Sequence, residues 1–169
     1  DALQTIPADL AHWPLAELRI GHGVVREVRC NWKVFWENFS ECFHCPGVHP
    51  ELSRLVPAYG RGLMAADDDP RGATPPGLAP GAVTWTLDGG SRLPAFEGLD
   101  TEERRRGHTF GVLPPSMFVV AHVDYVRLCR MLPRGPEAME LAMDWLFSPS
   151  VLARGDFDRE HAVALGERV

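Results

Sequence analysis

The chain has 169 residues, 45% hydrophobic and 24% charged, with 17 Lys and Arg against 23 Asp and Glu, a net charge of −6. That is one domain of ordinary globular composition, long enough to bury a core. The charge argues against a nucleic-acid partner, which needs surplus cations to replace counterions, and no apolar run nears the ~20 residues of a membrane span.

Asp1-Ala2-Leu3-Gln4 shows neither an initiator Met nor a basic-then-apolar signal pattern, as expected of a fragment or a processed product. The four cysteines, Cys30, Cys42, Cys45 and Cys129, are too few for a disulfide scaffold, and two of them sit beside histidines. A reducing, cytoplasmic compartment is expected.

Residues 1–21 read as irregular, punctuated by Pro7 and Pro14. The β-branched stretch His22–Cys30 predicts a strand. Asn31 is a good N-cap for a helix whose apolar face, at about 100° per residue, carries Trp32, Phe35, Trp36, Phe39 and Phe43. Glu37, Asn38, Glu41 and His44 share the other face. Pro46 disfavours helical backbone at Cys45, so the helix is expected to end near His44.

Residues 57–81 hold five Pro and five Gly and predict a long loop, a length that inside a domain is usually functional or mobile. Alternation over Val83, Trp85 and Leu87 predicts a strand ended by Asp88-Gly89-Gly90. Leu99–Arg106 reads as a short charged helix, with Arg104-Arg105-Arg106 as its solvated end. Strands are expected at Thr109–Leu113, Met117–Ala121 and Tyr125–Leu132, split by Pro114-Pro115 and by His122–Asp124. The clearest strand runs from Met139 to Phe147, stopped by Ser148-Pro149, and Asp158 can cap a final helix. Antiparallel strands in succession with helices at either end predict an α+β fold.

His44 and His49 are the candidate metal ligands. Five residues apart on an unbroken helix they would diverge, but Pro46 and Gly47 let the chain turn and bring His49 back. The zinc-protease arrangement, two His at i and i+4 with a Glu between, is absent. Two imidazoles with a carboxylate and open positions suit ferrous iron in oxygen chemistry. A closed zinc site of Cys42, His44, Cys45 and His49 is the rival, against which the crowded spacing counts. The bland reading also stands: two nearby histidines by coincidence, a solvated polar face and an aromatic core.

The run Asn31-Trp32-Lys33, Glu37-Asn38-Phe39, Glu41-Cys42-Phe43-His44-Cys45-Pro46 and His49-Pro50-Glu51-Leu52 resembles the catalytic-domain signature of Rieske non-haem iron oxygenase α subunits, the ring-hydroxylating oxygenases. The branch acting on quaternary ammonium compounds such as glycine betaine is most similar. Weaker likenesses at Leu52–Pro57, Phe96–Arg106, Leu146-Phe147 and Asp156-Phe157-Asp158 extend the resemblance over nearly the whole chain.

The resemblance implies a helix-grip antiparallel curved sheet with flanking helices, incomplete at both ends of residues 1–169. It implies His44 and His49 as ligands of a mononuclear Fe(II), Glu41 as the carboxylate that links a ligand to the Rieske cluster of a neighbouring subunit, and Asn38 as a residue lining the iron site. The third ligand, an Asp, is expected beyond Val169. An N-terminal Rieske domain with its 2Fe–2S cluster belongs to the full-length protein, because Cys42-Phe43-His44 lacks a partner Cys-x-x-His here.

The implied partners are O2, a small organic substrate, a reductase and, in the full-length protein, two further copies in a homotrimer. The segment by itself is expected to be inactive. Aromatic faces would line the cavity for a quaternary ammonium or an aromatic ring alike, with Trp85, Phe110, Phe118 and Tyr125 as candidates. The alternative of another class is a non-catalytic helix-grip domain that binds a small ligand.

Overall fold

The computed structural model describes residues 10–74, 76–113 and 115–169. The expectations placed on residues 1–9 and on Pro114 and Pro75 lie outside the described residues. Five strands form one open antiparallel sheet: β1 (Arg19–Val28), β2 (His108–Leu113), β3 (Met117–His122), β4 (Val126–Gly135) and β5 (Ala138–Phe147), in the order β1-β5-β4-β3-β2. The long excursion between β1 and β2 carries α1 (Trp32–Phe39), α2 (Cys45–Val48), α3 (Pro50–Leu55), α4 (Pro57–Gly60) and α5 (Thr101–Arg106). The chain closes with α6 (Pro149–Leu152) and α7 (Arg159–Arg168). The α+β expectation holds, as a mixed helical and open antiparallel architecture.

Register explains which residues share a face. Arg127 pairs with Trp145, Cys129 with Met143 and Met131 with Leu141 across β4 and β5, while Phe118 faces Cys129 from β3. Because side chains alternate along a strand, these residues project to one side. There Phe118, Val120, Cys129, Met131, Met139 and Leu141 form a buried cluster against Trp32, Phe35, Trp36 and Phe39 of α1. Phe39 stacks on Phe118 with ring centroids 4.0 Å apart. The opposite phase, with Val119, Ala121 and Val126, is covered by Leu10, Trp13, Leu18, Phe96 and Leu99.

α1 is shorter than expected. Asn31 caps it, accepting from the Lys33 amide at 3.0 Å, but the helix stops at Phe39 rather than near His44. Glu41 accounts for the early exit: its carboxylate accepts the Phe43 amide at 2.5 Å and so stabilises a turn in place of another helical turn. Phe43 therefore leaves the apolar face assigned to it and is 84% exposed.

The strand expected over Val83–Leu87 does not form. The amides of Val83 and Thr84 both donate to the Gly89 carbonyl, closing a compact loop instead. That loop is pinned by side chains: Thr84 Oγ1 donates to Asp124 Oδ1 at 2.6 Å, and Tyr125 Oη donates to the Trp85 carbonyl at 2.7 Å. Among its described residues, the Pro- and Gly-rich stretch 57–81 holds α4 and one 3-10 turn at Ala66–Asp68 between irregular segments. The helices α5 and α7 follow their capping signals. Asp100 and Glu103 form a capping box on α5, whose Arg104–Arg106 end remains largely in solvent, and Asp158 caps α7 through the His161 amide at 3.1 Å.

Candidate metal centre

The site begins where α1 ends. His44 is the N-cap residue of α2 and His49 its C-cap, so one helical turn separates the two imidazoles. Pro46 in the first turn starts this new helix rather than simply breaking the old one. The ring centroids of His44 and His49 come to 5.2 Å, nearly perpendicular at 80°. The expected convergence of the two rings is thus present, by a one-turn helix rather than an open turn.

Glu41 orients the first of them. Its Oε1 lies 2.6 Å from His44 Nδ1, so a carboxylate accepts the ring N–H and leaves Nε2 as the lone-pair nitrogen. This hydrogen bond is the main cause that holds the Glu41 carboxyl below its ordinary range, aided by the Phe43 amide and opposed by burial. Burial depresses His49 below the usual imidazole value, with the neighbouring His44 acting in the same direction. A neutral His49 is the ligand-competent form.

Both histidines, Asn38 and Glu41 line one cavity of about 260 Å³. Phe39, Phe110, Phe118 and Trp85 supply aromatic wall, and Leu141 and Met143 contribute from β5. Of the four aromatic candidates Tyr125 is the exception: it packs with Trp145, Phe147 and α6–α7 residues, and its hydroxyl is spent on the Trp85 carbonyl. A larger depression of about 470 Å³ lies beside Ala65–Asp67 and α5, away from both histidines. It lacks the converging imidazoles that line the smaller cavity.

The donor set fits a mononuclear metal with two histidines, but no third ligand joins His44 and His49 among the described residues. Glu167, on the last turn of α7, lines the cavity, yet its Oε1 is engaged by His22 Nε2 at 2.6 Å. The single group of three metal-capable side chains with mutually close donors, among the described residues, is His12, Asp100 and Glu103 at the surface. Those carboxylates already serve the α5 capping box.

The zinc alternative is overturned. Cys42 and Cys45 are buried and joined to each other as a disulfide, so neither sulfur is a free thiolate for a metal. The expectation of reduced thiols inside the histidine cluster is corrected with it. Cys30 and Cys129 are free. No helix among the described residues is long and apolar enough to cross a membrane.

Sequence reasoning did not single out Tyr59, Met64 or Arg127 as cavity residues. For Arg127 a signal was present: it shares the strand phase of Cys129 and Met131, so a charge stands in an otherwise apolar register. Tyr59 sits in α4, a helix of a single turn, and Met64 in the irregular segment after it, both too short of regular structure for periodicity to mark an inward face.

An antiparallel sheet backed by helices, with paired histidines on a helix break, defines a class of protein that comparison with known families resolves. Residues 15–168 match the model of the ring hydroxylating alpha subunit catalytic domain, and the chain belongs to that family. Among individual relatives, it is 28% identical over 192 residues to the glycine betaine monooxygenase oxygenase subunit of Chromohalobacter salexigens. That match covers 95% of this chain and 42% of the relative, so the chain spans less than half of that protein.

Two solved structures superpose with TM-scores of 0.48. One is the quaternary ammonium Rieske monooxygenase CntA in complex with an inhibitor, at 13% identity, covering 89% of this chain and 34% of that one. The other is naphthalene 1,2-dioxygenase from Rhodococcus sp. bound to indole, at 19% identity, covering 89% and 39%.

Proposed function

We propose that residues 1–169 are part of the catalytic domain of a Rieske-type mono- or dioxygenase, with a helix-grip arrangement around the cavity. The observation that carries this reading is the pair His44 and His49, held at the two ends of one helical turn beside a cavity, with Glu41 fixing His44 through Nδ1. His44 and His49 would hold the mononuclear Fe(II), and an Asp downstream of Val169 would complete the triad. The last turn of α7 supports that placement, because Glu167, Arg168 and Val169 already line the cavity. Bound there, ferrous iron supplies O2 activation, with electrons delivered from a reductase through the 2Fe–2S cluster of an N-terminal Rieske domain.

The roles of this chain's residues follow from their positions. Glu41 keeps His44 in one tautomer and presents a carboxylate at the surface for the electron-transfer contact between subunits of a homotrimer. Asn38 lines the iron side of the cavity. The aromatic wall excludes water and orients the substrate. A quaternary ammonium such as glycine betaine is the favoured substrate, on the strength of the C. salexigens relative and of ring faces suited to cation–π contact. An aromatic ring is the next choice.

The test is direct. Full-length protein is purified anaerobically, loaded with ferrous iron, and its mononuclear iron is counted, separately from the cluster, by EPR of the nitric oxide adduct, since ferrous iron alone is EPR-silent. One mononuclear iron per subunit is expected, and His44→Ala should lose it along with substrate oxygenation. Full iron loading in the alanine variant would remove His44 as a ligand. No mononuclear iron in the parent protein would leave the non-catalytic ligand-binding reading in its place.

A further inference from the structure

Three buried hydrogen-bond donors gather in this cavity without an acceptor among the described residues. Arg127 is 6% exposed, its Nε has no partner, and its Nη1 reaches only the Gly166 carbonyl at 3.4 Å. Tyr59 and Trp85 are each 3% exposed, and the Tyr59 hydroxyl and Trp85 Nε1 are also unpartnered. The groups are neighbours: the Arg127 guanidinium carbon lies 5.7 Å from the Trp85 ring centre, and the Tyr59 and Trp85 rings are 6.1 Å apart. All three residues line the cavity that holds His44 and His49.

This set has a sign. Guanidinium and indole N–H groups donate and cannot accept, and Arg stays charged under all ordinary conditions. Burying such a cation without a counter-charge is costly, so a buried guanidinium normally meets a carboxylate or phosphate. The acidic residues of the cavity wall do not serve it: Glu41 is engaged by His44, and Glu167 by His22. The Trp85 face offsets part of the charge, but a ring provides no lone pair for the unpartnered N–H.

We propose that the cavity takes a substrate bearing a carboxylate, whose oxygens accept from Arg127, with Tyr59 and Trp85 as neighbouring donors. The planar fork of Arg matches a carboxylate, and a small planar anion leaves the Phe39, Phe110 and Phe118 wall for the apolar or ammonium part of the molecule. The inference rests on this cavity being the substrate site of the proposed oxygenase. It adds the chemical group that the cavity reads, for a zwitterionic ammonium acid and an aromatic acid alike.

Binding separates the possibilities without turnover. Full-length, ferrous-loaded protein is titrated anaerobically by calorimetry with 3,3-dimethylbutyrate and its amide, and with benzoate and benzamide. For at least one pair the acid should bind about tenfold or more tightly than the amide. Arg127→Gln should cost that acid about ten- to a hundredfold while changing the amide by less than about twofold. Tyr59→Phe, which keeps the ring, should cost the acid about three- to tenfold; it decides the matter together with the parent acid-to-amide ratio if thermal melts show Arg127→Gln unfolded.

Equal affinity for acid and amide in both pairs, no binding of any of the four, or an equal loss for acid and amide in Arg127→Gln overturns the proposal. Acid discrimination in protein that holds no mononuclear iron defeats the oxygenase reading alone. Iron loading and glycine betaine oxygenation with acids and amides bound alike defeats the carboxylate inference alone.

Discussion

His108, at the start of β2, allows a quantitative test of the buried polar layer behind the cavity. Its ring lies 4.9 Å from Trp85, its Nδ1 has no partner, and burial pushes its pKa from the usual 6.5 down to about 4. The native state therefore binds a proton more weakly than the unfolded chain. Stability from the neutral imidazole is fully present above about pH 6.5 and is lost as pH falls toward about 4. Linkage over that window gives a loss of about 2 kcal/mol between about pH 7 and pH 5 from this group alone.

His122 acts in the same direction: it is fully buried, both ring nitrogens lack partners, and burial and then Arg127 lower its pKa well below the normal value. Urea unfolding of the parent and of His108→Leu at the two pH values isolates the first contribution, because any fixed packing cost cancels in the difference. The variant should lose about 2 kcal/mol less than the parent between about pH 7 and pH 5. An identical pH dependence in the two proteins would refute a buried neutral His108.

Two other outcomes are expected. Asp124 accepts from Thr84 at 2.6 Å and Ser91 at 2.5 Å; Ser91 keeps the Leu93 carbonyl as an alternative acceptor, so Asp124→Ala strands the buried Thr84 hydroxyl and should cost about 1–3 kcal/mol by denaturant unfolding, with Asp124→Asn retaining most of the stability. An alanine variant within about 0.5 kcal/mol of the parent would show that this network does not hold the Trp85 loop. Glu41→Ala frees His44 Nδ1 and should weaken ferrous iron binding about 10- to 100-fold in full-length protein, measured by competition with a chromogenic chelator; unchanged affinity would contradict the orienting role.

Much of the fold was legible because burial imposes its period on the residues. Alternation from Met139 to Phe147 matches β5, and β2, β3 and β4 fall close to the stretches marked by β-branched residues. The capping residues Asn31 and Asp158 sit where helices start. The failures have local causes. Val83, Trp85 and Leu87 alternate, but their backbone finds Gly89 and side-chain anchors rather than a strand edge, so periodicity alone misled. Phe43 follows the helical spacing of α1 and yet lies in solvent, since the Glu41 carboxylate ends the helix before its register matters.

For the proposed site, the sequence alone offered the candidate donors: His44 and His49 with Glu41 three residues before the first, and Pro46 and Gly47 between the histidines to turn the chain. These are local relationships, governed by backbone sterics and short-range hydrogen bonds. Tertiary structure decided what surrounds them. Pairing of β4 with β5 turns Arg127 to the cavity side, the loop after α4 brings Trp85 over it, and α7 returns to line it. It also joined Cys42 to Cys45, which spacing had left as possible ligands. Apart from that three-residue link, these contacts join residues dozens of positions apart through packing, and no local pattern encodes which distant donor will stand beside which.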